Sequence, residues 1–320
     1  MAADMSDSFR HLIDVGDIDG LVRTIDDLTS DRDWESLYDL RLAAKAAASS
    51  GRQVWPAATL AEYRLALRAP AELAARVLDD AGRFTIGPLT EVIAQDHSFA
   101  ELEPHLSAGP TQAYVAHERA IRGEVIDADI FPALDIPARC AAWEPTYLLP
   151  VYRDSHVEVP TPDMPHDFLT CGPSNAETHD DPEVSEAFRL LIEPWTIAES
   201  IDWGVKTWNV HPQRAINAAR IAPMTSTEAL TWLTWIGASG GPTGRRRGNA
   251  AGRFSTWWLL AALTDSLATW PPNESGSFDT LEWFWWDDGH VRQGWSIGIA
   301  VHDHRSGRSW SFDTQDRSVS

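Results

Sequence analysis

The residues best suited to chemistry stand together in Gly240-Gly241-Pro242-Thr243-Gly244-Arg245-Arg246-Arg247-Gly248-Asn249-Ala250-Ala251-Gly252-Arg253, which holds four arginines and five glycines in fourteen residues. Guanidinium forks bind carboxylates and phosphates bidentately. Glycine lets a backbone come close to a ligand, and a helix N-terminus presents free N–H groups to an anion. The stretch lies between two tryptophan-bearing segments that read as helices, Leu230 to Ile236 and Phe254 to Leu267. Gly244, Arg245, Arg246, Arg247, Gly248 and Arg253 are therefore the candidate anion-binding residues. The competing expectation is structural: the arginines pair with the chain's own carboxylates, such as Asp279 and Glu282. No strand-like run precedes the loop and Gly-Lys-Ser/Thr is absent, so it is not a P-loop; nor is it a dinucleotide fingerprint.

Other reactive types are sparser. His302-Asp303-His304 sets two imidazoles on one side of a strand, a spacing metal sites use. No third ligand is evident there, and the same holds for His179-Asp180-Asp181 and for Asp287-Asp288-Gly289-His290, so no metal is expected. Neither Gly-x-Ser-x-Gly nor Ser-x-x-Lys occurs. Cys171-Gly172-Pro173-Ser174, with His166 and His179 near it in sequence, reads as an ordinary loop. Lys45 and Lys206 are the only lysines, and neither sits in a motif for imine chemistry. No cofactor is expected.

The elements that must position these residues follow from composition and pattern. With 43% hydrophobic and 23% charged residues over 320 positions, the chain reads as globular. A net charge of −21 argues against general affinity for nucleic acid or anionic membranes. Cys140 and Cys171 form neither a CxxC pair nor a zinc knuckle. The N-terminus lacks the basic-then-apolar pattern of a secretory signal, and the longest apolar run, Trp257 to Leu263, is too short to span a bilayer. A cytoplasmic location is expected.

An α-rich α+β fold is predicted. Residues 1–125 read as short helices, a helical array of HEAT-like kind or an irregular bundle, punctuated by Pro56, Pro70, Pro88, Pro104 and Pro110 near helix starts. Thr59/Glu62, Ser98/Glu101 and Thr225/Glu228 have capping-box spacing. Residues 126–182 form a proline-rich connector, and 183–320 an α+β domain closed by a three-stranded antiparallel β-meander. Two-residue turns at Asp288-Gly289 and Ser306-Gly307 would set Trp286 opposite Val291, Trp283 opposite Gly294 and Val301 opposite Phe312. One face then collects Phe284, Trp286, Val291, Trp295, Ile297, Ile299, Val301, Trp310 and Phe312 as core. The other holds Trp283, Trp285 and Arg292 with Ser296, Ala300 and His302. That second face is an aromatic floor for a flat ligand or, the preferred expectation, the seat of a packed helix. Trp285 opposite Arg292 would suit a cation–π pair.

Several phrases carry a resemblance. Val54-Trp55-Pro56 ahead of Glu62-Tyr63-Arg64-Leu65-Ala66-Leu67, Gly82-Arg83-Phe84 with Gly87-Pro88-Leu89-Thr90-Glu91-Val92, Trp143-Glu144-Pro145-x-Tyr147, and the segment Gly244 to Arg253 together resemble an uncharacterised family of actinobacterial cytosolic proteins. That resemblance brings no reaction, ligand or catalytic residue. The residues themselves lead to a cytosolic binding or interaction protein, holding a protein partner or a small anionic ligand at the Gly/Arg loop. One alternative is an enzyme acting on a phosphorylated or carboxylated small molecule, with His302 or Asp313 as acid or base beside the arginines. The other is an acidic inhibitor or decoy of a basic protein, motivated by charge.

Overall fold

The computed structural model describes residues 2–82, 85–126, 134–196, 201–217, 219–241, 244–272, 278–288 and 295–316, with the backbone alone for 2–8 and 316. The chain divides into two compact units: Met1–Leu134 with Pro150–Val159, and Asp135–Leu149 with Pro160–Ser320. The proline-rich segment is thus shared between them, with 150–159 in the first unit and its flanking parts in the second.

The first unit is built from α1 (Ala2–Val15), α2 (Ile18–Asp31), α3 (Trp34–Ser49), α4 (Trp55–Arg68), α5 (Ala71–Arg76), α6 (Leu89–Asp96), α7 (Phe99–Leu102) and α8 (Pro110–Ile121), with a small hairpin of β1 (Val151–Tyr152) and β2 (Val157–Glu158). Besides sequence neighbours, α1 packs on α3, α2 on α4, α4 on α6 and α6 on α8. The prolines stand where they were expected, at or just inside helix starts, because a first-turn residue has no intrahelical use for its N–H. Ser98 and Glu101 form a reciprocal capping box on α7. Thr59 and Glu62 do not: α4 begins at Trp55 and Pro56, so Thr59 lies inside it and its hydroxyl donates to Pro56 O at 3.0 Å. Glu62 instead enters the core, where Oε1 takes Arg41 Nη2 at 2.7 Å and Oε2 accepts the Gly82 N–H at 2.8 Å.

In the second unit, α9 (Pro182–Leu191), α11 (Ser226–Ser239) and α12 (Asn249–Leu263) cover one face of a six-stranded antiparallel sheet. Its strands are β3 (Leu169–Thr170), β4 (Ile201–Trp208), β5 (Arg220–Met224), β6 (Leu281–Asp287), β7 (Ser296–Asp303) and β8 (Ser309–Asp316), in the order β3-β5-β6-β7-β8-β4. The meander is therefore larger than the three strands predicted. Pro223 obscured β5; it lies beyond Ile221 and Arg220, the residues that β3 pairs, where β5 is a free edge and a missing N–H costs nothing. A short helix, α10 (Pro212–Ala215), packs on β7 and β8.

The predicted register is corrected at both hairpins. Trp283 pairs with Val301 and Trp285 with Ile299, so β6 and β7 are joined over 288–295 and not by a two-residue turn. The partners foreseen for that turn, Val291, Arg292 and Gly294, lie outside the described residues. Moving the pairing by an odd number of residues exchanges the faces. Trp283 and Trp285 accordingly join Ile297, Ile299, Val301, Trp310 and Phe312 in the main core, while Phe284 and Trp286 face a smaller cluster with Cys171, Trp208, Ile216 and Ala300. In the second hairpin Val301 pairs with Trp310, an even shift of two that keeps every side chain on its expected face. Its reversal is set by Asp303, which accepts the N–H groups of Arg305 at 3.0 Å and Ser306 at 3.1 Å, and by Gly307 at φ 72.

Helices α11 and α12 meet at two glycines. A Cβ on Gly252 would lie 2.3 Å from Thr234 O, and one on Gly237 would lie 3.0 Å from the Gly252 Cα. Neither backbone can yield, so Gly252→Ala should destabilise the second unit by about 1–3 kcal/mol, the usual range for overpacking. Gly172, whose surroundings are open, is the control: Gly172→Ala should leave the urea midpoint unchanged.

Candidate functional site

The Gly/Arg loop is folded against itself. Gly240 ends α11 at φ 78, and the Arg247 N–H donates to Ala238 O at 2.8 Å. A Cβ on Gly240 would stand 2.1 Å from Arg245 O, and one on Gly244 would stand 2.0 Å from Gly240 O. These glycines let chain cross chain. Gly248 precedes α12 at φ 95, and Pro242 and Thr243 lie outside the described residues.

Three of the four arginines turn inward or along the loop. Arg253 is fully buried and grips Glu144 with both arms, Nε to Oε2 at 2.6 Å and Nη2 to Oε1 at 2.7 Å. Its remaining donors reach Pro137 O at 2.8 Å and Arg139 O at 3.2 Å, and its guanidinium lies 5.6 Å from the Trp257 ring centre. Burial works against the charge of Arg253, but the Glu144 hydrogen bonds and negative charge outweigh it and raise its pKa. Glu144 also accepts the Ala141 N–H at 2.7 Å and the Tyr147 hydroxyl, whose own ionisation burial pushes far up. Arg247 Nη1 donates to Leu190 O at 3.1 Å, a carbonyl at the end of α9 that also accepts the Glu193 N–H. Arg246 Nη2 donates to Asn249 Oδ1 at 3.0 Å, and Arg245 is exposed. Arg253 meets Glu144, while Glu282, one of the partners expected from sequence, is engaged by histidines.

Trp283 and Trp285 lie under α11, with Trp285 4.7 Å from Trp232 between ring centres. They are 2% and 3% exposed, which leaves no floor for a ligand. Arg292 is outside the described residues. His302 pairs with Glu282 and Ser309, and so projects from the face opposite Trp283. The constellation of arginines, indoles and His302 on one surface is not assembled.

A different cluster forms on that opposite face. Glu282 Oε2 lies 3.2 Å from His211 Nε2 and 3.2 Å from His304 Nε2. The His302 ring lies between the other two imidazoles, 5.1 Å from His211 and 4.8 Å from His304. His302 Nδ1 is 2.9 Å from Ser309 Oγ. Burial first, then His211 and His304, lower the pKa of His302 against the opposing pull of Glu282. His211 carries no local sign of membership because it precedes α10, 71 positions before Glu282, and only the cross-sheet pairing of Glu282 with His302 brings the group together. Among the described residues, no three His, Cys, Asp or Glu side chains are placed to hold a metal ion.

The first unit holds the other concentration of charge, missed in sequence because its members are a turn or more apart. A cavity of about 490 Å³ is lined by Asp26, Thr29, Arg32, Trp34, Arg64 and Arg68, among others. Arg64 is nearly buried; its Nη2 lies 2.7 Å from Asp26 and its Nη1 3.5 Å from Asp154. Among the described residues its buried Nε has no acceptor. Arg32 is set in place by the end of α2, where it takes the left-handed conformation at φ 56 and its N–H bonds Leu28 O and Thr29 O. That conformation is a cost a glycine would avoid.

Residues 19–211 and 198–316 match the model of a family of unknown function (DUF6183). No curated protein and no solved structure matches the chain. No helix among the described residues is long and apolar enough to cross a membrane.

Because Arg253 is charged and fully enclosed, Glu144→Ala should cost the second unit about 3–5 kcal/mol, the range for a buried ion pair broken on one side. Glu144→Leu/Arg253→Met, which removes both charges, should recover most of that loss in urea unfolding. Equal damage from the single and double replacements would mean the pair is not what holds the segment.

Proposed function

Since the chain belongs to the DUF6183 family, whose function is unknown, we propose from its own geometry that it is a binding protein whose helical unit takes a small anionic ligand. The observation that carries this is the cavity between Arg32, Arg64 and Arg68 in a chain of net charge −21. Three guanidiniums face this space beside Asp26 and Asp154, with Arg64 paired to both and Arg68 to Asp154 and Asp96; their planar forks match carboxylate or phosphate oxygens. The volume, about 490 Å³, lies in the range of small-molecule sites, and the Trp34 indole supplies an apolar wall. Thr29 and Ser30 line the same space, although their hydroxyls donate to Ile25 O and Asp26 O.

The stacked pairs α1/α3, α2/α4, α4/α6 and α6/α8 support an array of HEAT-like kind, an architecture suited to extended binding surfaces. An acidic side chain of a protein partner would meet the same guanidiniums as a free anion. Two free cysteines, far apart in sequence, fit a reducing compartment such as the cytoplasm. The loop from Gly244 to Arg253 supports binding less well than this cavity, because Arg253 is fully buried against Glu144 whereas Arg32 and Arg68 are exposed.

The test is a thermal-shift and calorimetric titration with inorganic phosphate, citrate and ATP, on wild type and on Arg32→Ala/Arg68→Ala. Both replaced side chains are largely solvent-facing, so the variant should fold. An anion at about one hundred times its dissociation constant should stabilise the wild type by about 2.7 kcal/mol and the variant by much less. No stabilisation by any of the three, or equal stabilisation of both proteins, would overturn the reading.

A further inference from the structure

The geometry points to a proton-operated latch in the second unit: His211, His302 and His304 share the single carboxylate of Glu282, and acidification releases α10 from the sheet. The inference is independent of the anion site in the helical unit. It stands on the placement of four side chains from four different segments. Glu282 is on β6, His302 on β7, His304 in the β7–β8 turn, and His211 immediately before α10.

In the neutral form the hydrogen bonds are consistent with one another. His211 Nδ1 accepts the Gln213 N–H at 3.4 Å and so caps α10, leaving Nε2 to carry the proton that points at Glu282. His304 donates to the same oxygen from the other side chain position. Each of the three imidazoles is thus within one ring's width of another, around one negative charge.

Acid disturbs this in two ways. A charge on His302 would stand beside two further imidazoles, with Glu282 the carboxylate that His211 and His304 already contact. The other charged groups on the packed elements do not help: Lys206 lies one residue row away on the same sheet face and Arg214 is on α10, both cationic, while Arg308 turns to Asp181 on the other face. Asp313 lies on that face two rows farther along. In addition, an imidazolium at His211 has no lone pair on Nδ1, so the cap on Gln213 is lost.

The sign follows from linkage. The folded cluster holds His302 below the ordinary histidine value, so at His302 the open form binds the proton more readily than the closed one. The closed form is therefore fully favoured above a pH of about 6.5 and loses ground as pH falls below it. What α10 covers is defined: Ala215 and Ile216 pack on Cys171, Trp208, Phe284 and Ala300. Cys171 is 7% exposed, and burial raises its thiol pKa. Opening the latch uncovers this thiol.

The chain's only other cysteine is Cys140, so Cys140→Ser makes Cys171 a local reporter. Its rate of reaction with 4,4′-dithiodipyridine, which remains reactive in acid, is measured from about pH 7.5 to about pH 5 and normalised to the unfolded chain at each pH. A rise of about tenfold is expected on acidification, and His302→Gln/His304→Gln should keep the slow rate at high pH but lose the rise. A local readout is needed because His97 in the first unit is also held low by burial and will add its own pH dependence to global stability. A flat profile in the parent, or the same rise in the histidine variant, would overturn the latch. So would stoichiometric zinc that protects Cys171 at every pH, because the cluster would then be a metal site.

Discussion

Much of the second unit depends on one buried ion pair. Arg253 is on α12 and Glu144 is in the segment 135–149, 109 residues earlier in the chain. A buried guanidinium is tolerable only when its donors are satisfied, and here the donors find a bidentate carboxylate and two main-chain carbonyls. The proline-rich segment, which has few backbone bonds of its own, is thereby fixed on a helix. Trp143 follows, set 4.9 Å from Trp257 and 4.7 Å from Phe278 between ring centres. Asn249 adds a second tie to the same segment by donating to Leu148 O at 3.0 Å. The Gly/Arg stretch is thus, in large part, the fastening of a long connection.

That fastening shows why the most chemical-looking phrase in the chain is compatible with two roles. Arginine and glycine in one stretch serve a ligand or a tight crossing equally well in sequence, since both need guanidinium donors and backbone freedom. Only the partner separates them, and Glu144 cannot be matched to Arg253 by any local spacing. Helix starts were legible because proline and capping boxes act within four residues, as at Ser98/Glu101 and Thr225/Glu228. Thr59/Glu62 has the same spacing and fails because the proline before it had already started the helix.

The sheet shows where local signals stop. Alternation identified β6, β7 and β8 as strands, but the face each residue took depended on the length of the 288–295 connection. Asp288-Gly289 is a strong turn signal that here does not close a two-residue hairpin, and the odd difference in register puts Trp283 and Trp285 on the main core face, under α11. The Glu282 cluster and the Arg32/Arg64/Arg68 cavity were illegible for a related reason. Each is assembled from residues that long-range packing brings together, and none carries a spacing that announces the others.

The distribution of indoles has an optical consequence. Fourteen of the sixteen tryptophans follow residue 142, and all of these belong to the second unit; the first keeps Trp34 and Trp55. Several in the second unit stand at ring separations of about 5 Å, as in the Trp195–Trp295–Trp235–Trp232–Trp285 series, where excitation passes readily from ring to ring. The intrinsic emission of this protein is therefore the voice of its sheet and covering helices. The helical unit speaks through far-ultraviolet dichroism, apart from two indoles, the exposed Trp55 and Trp34, the latter stationed on the wall of the arginine cavity.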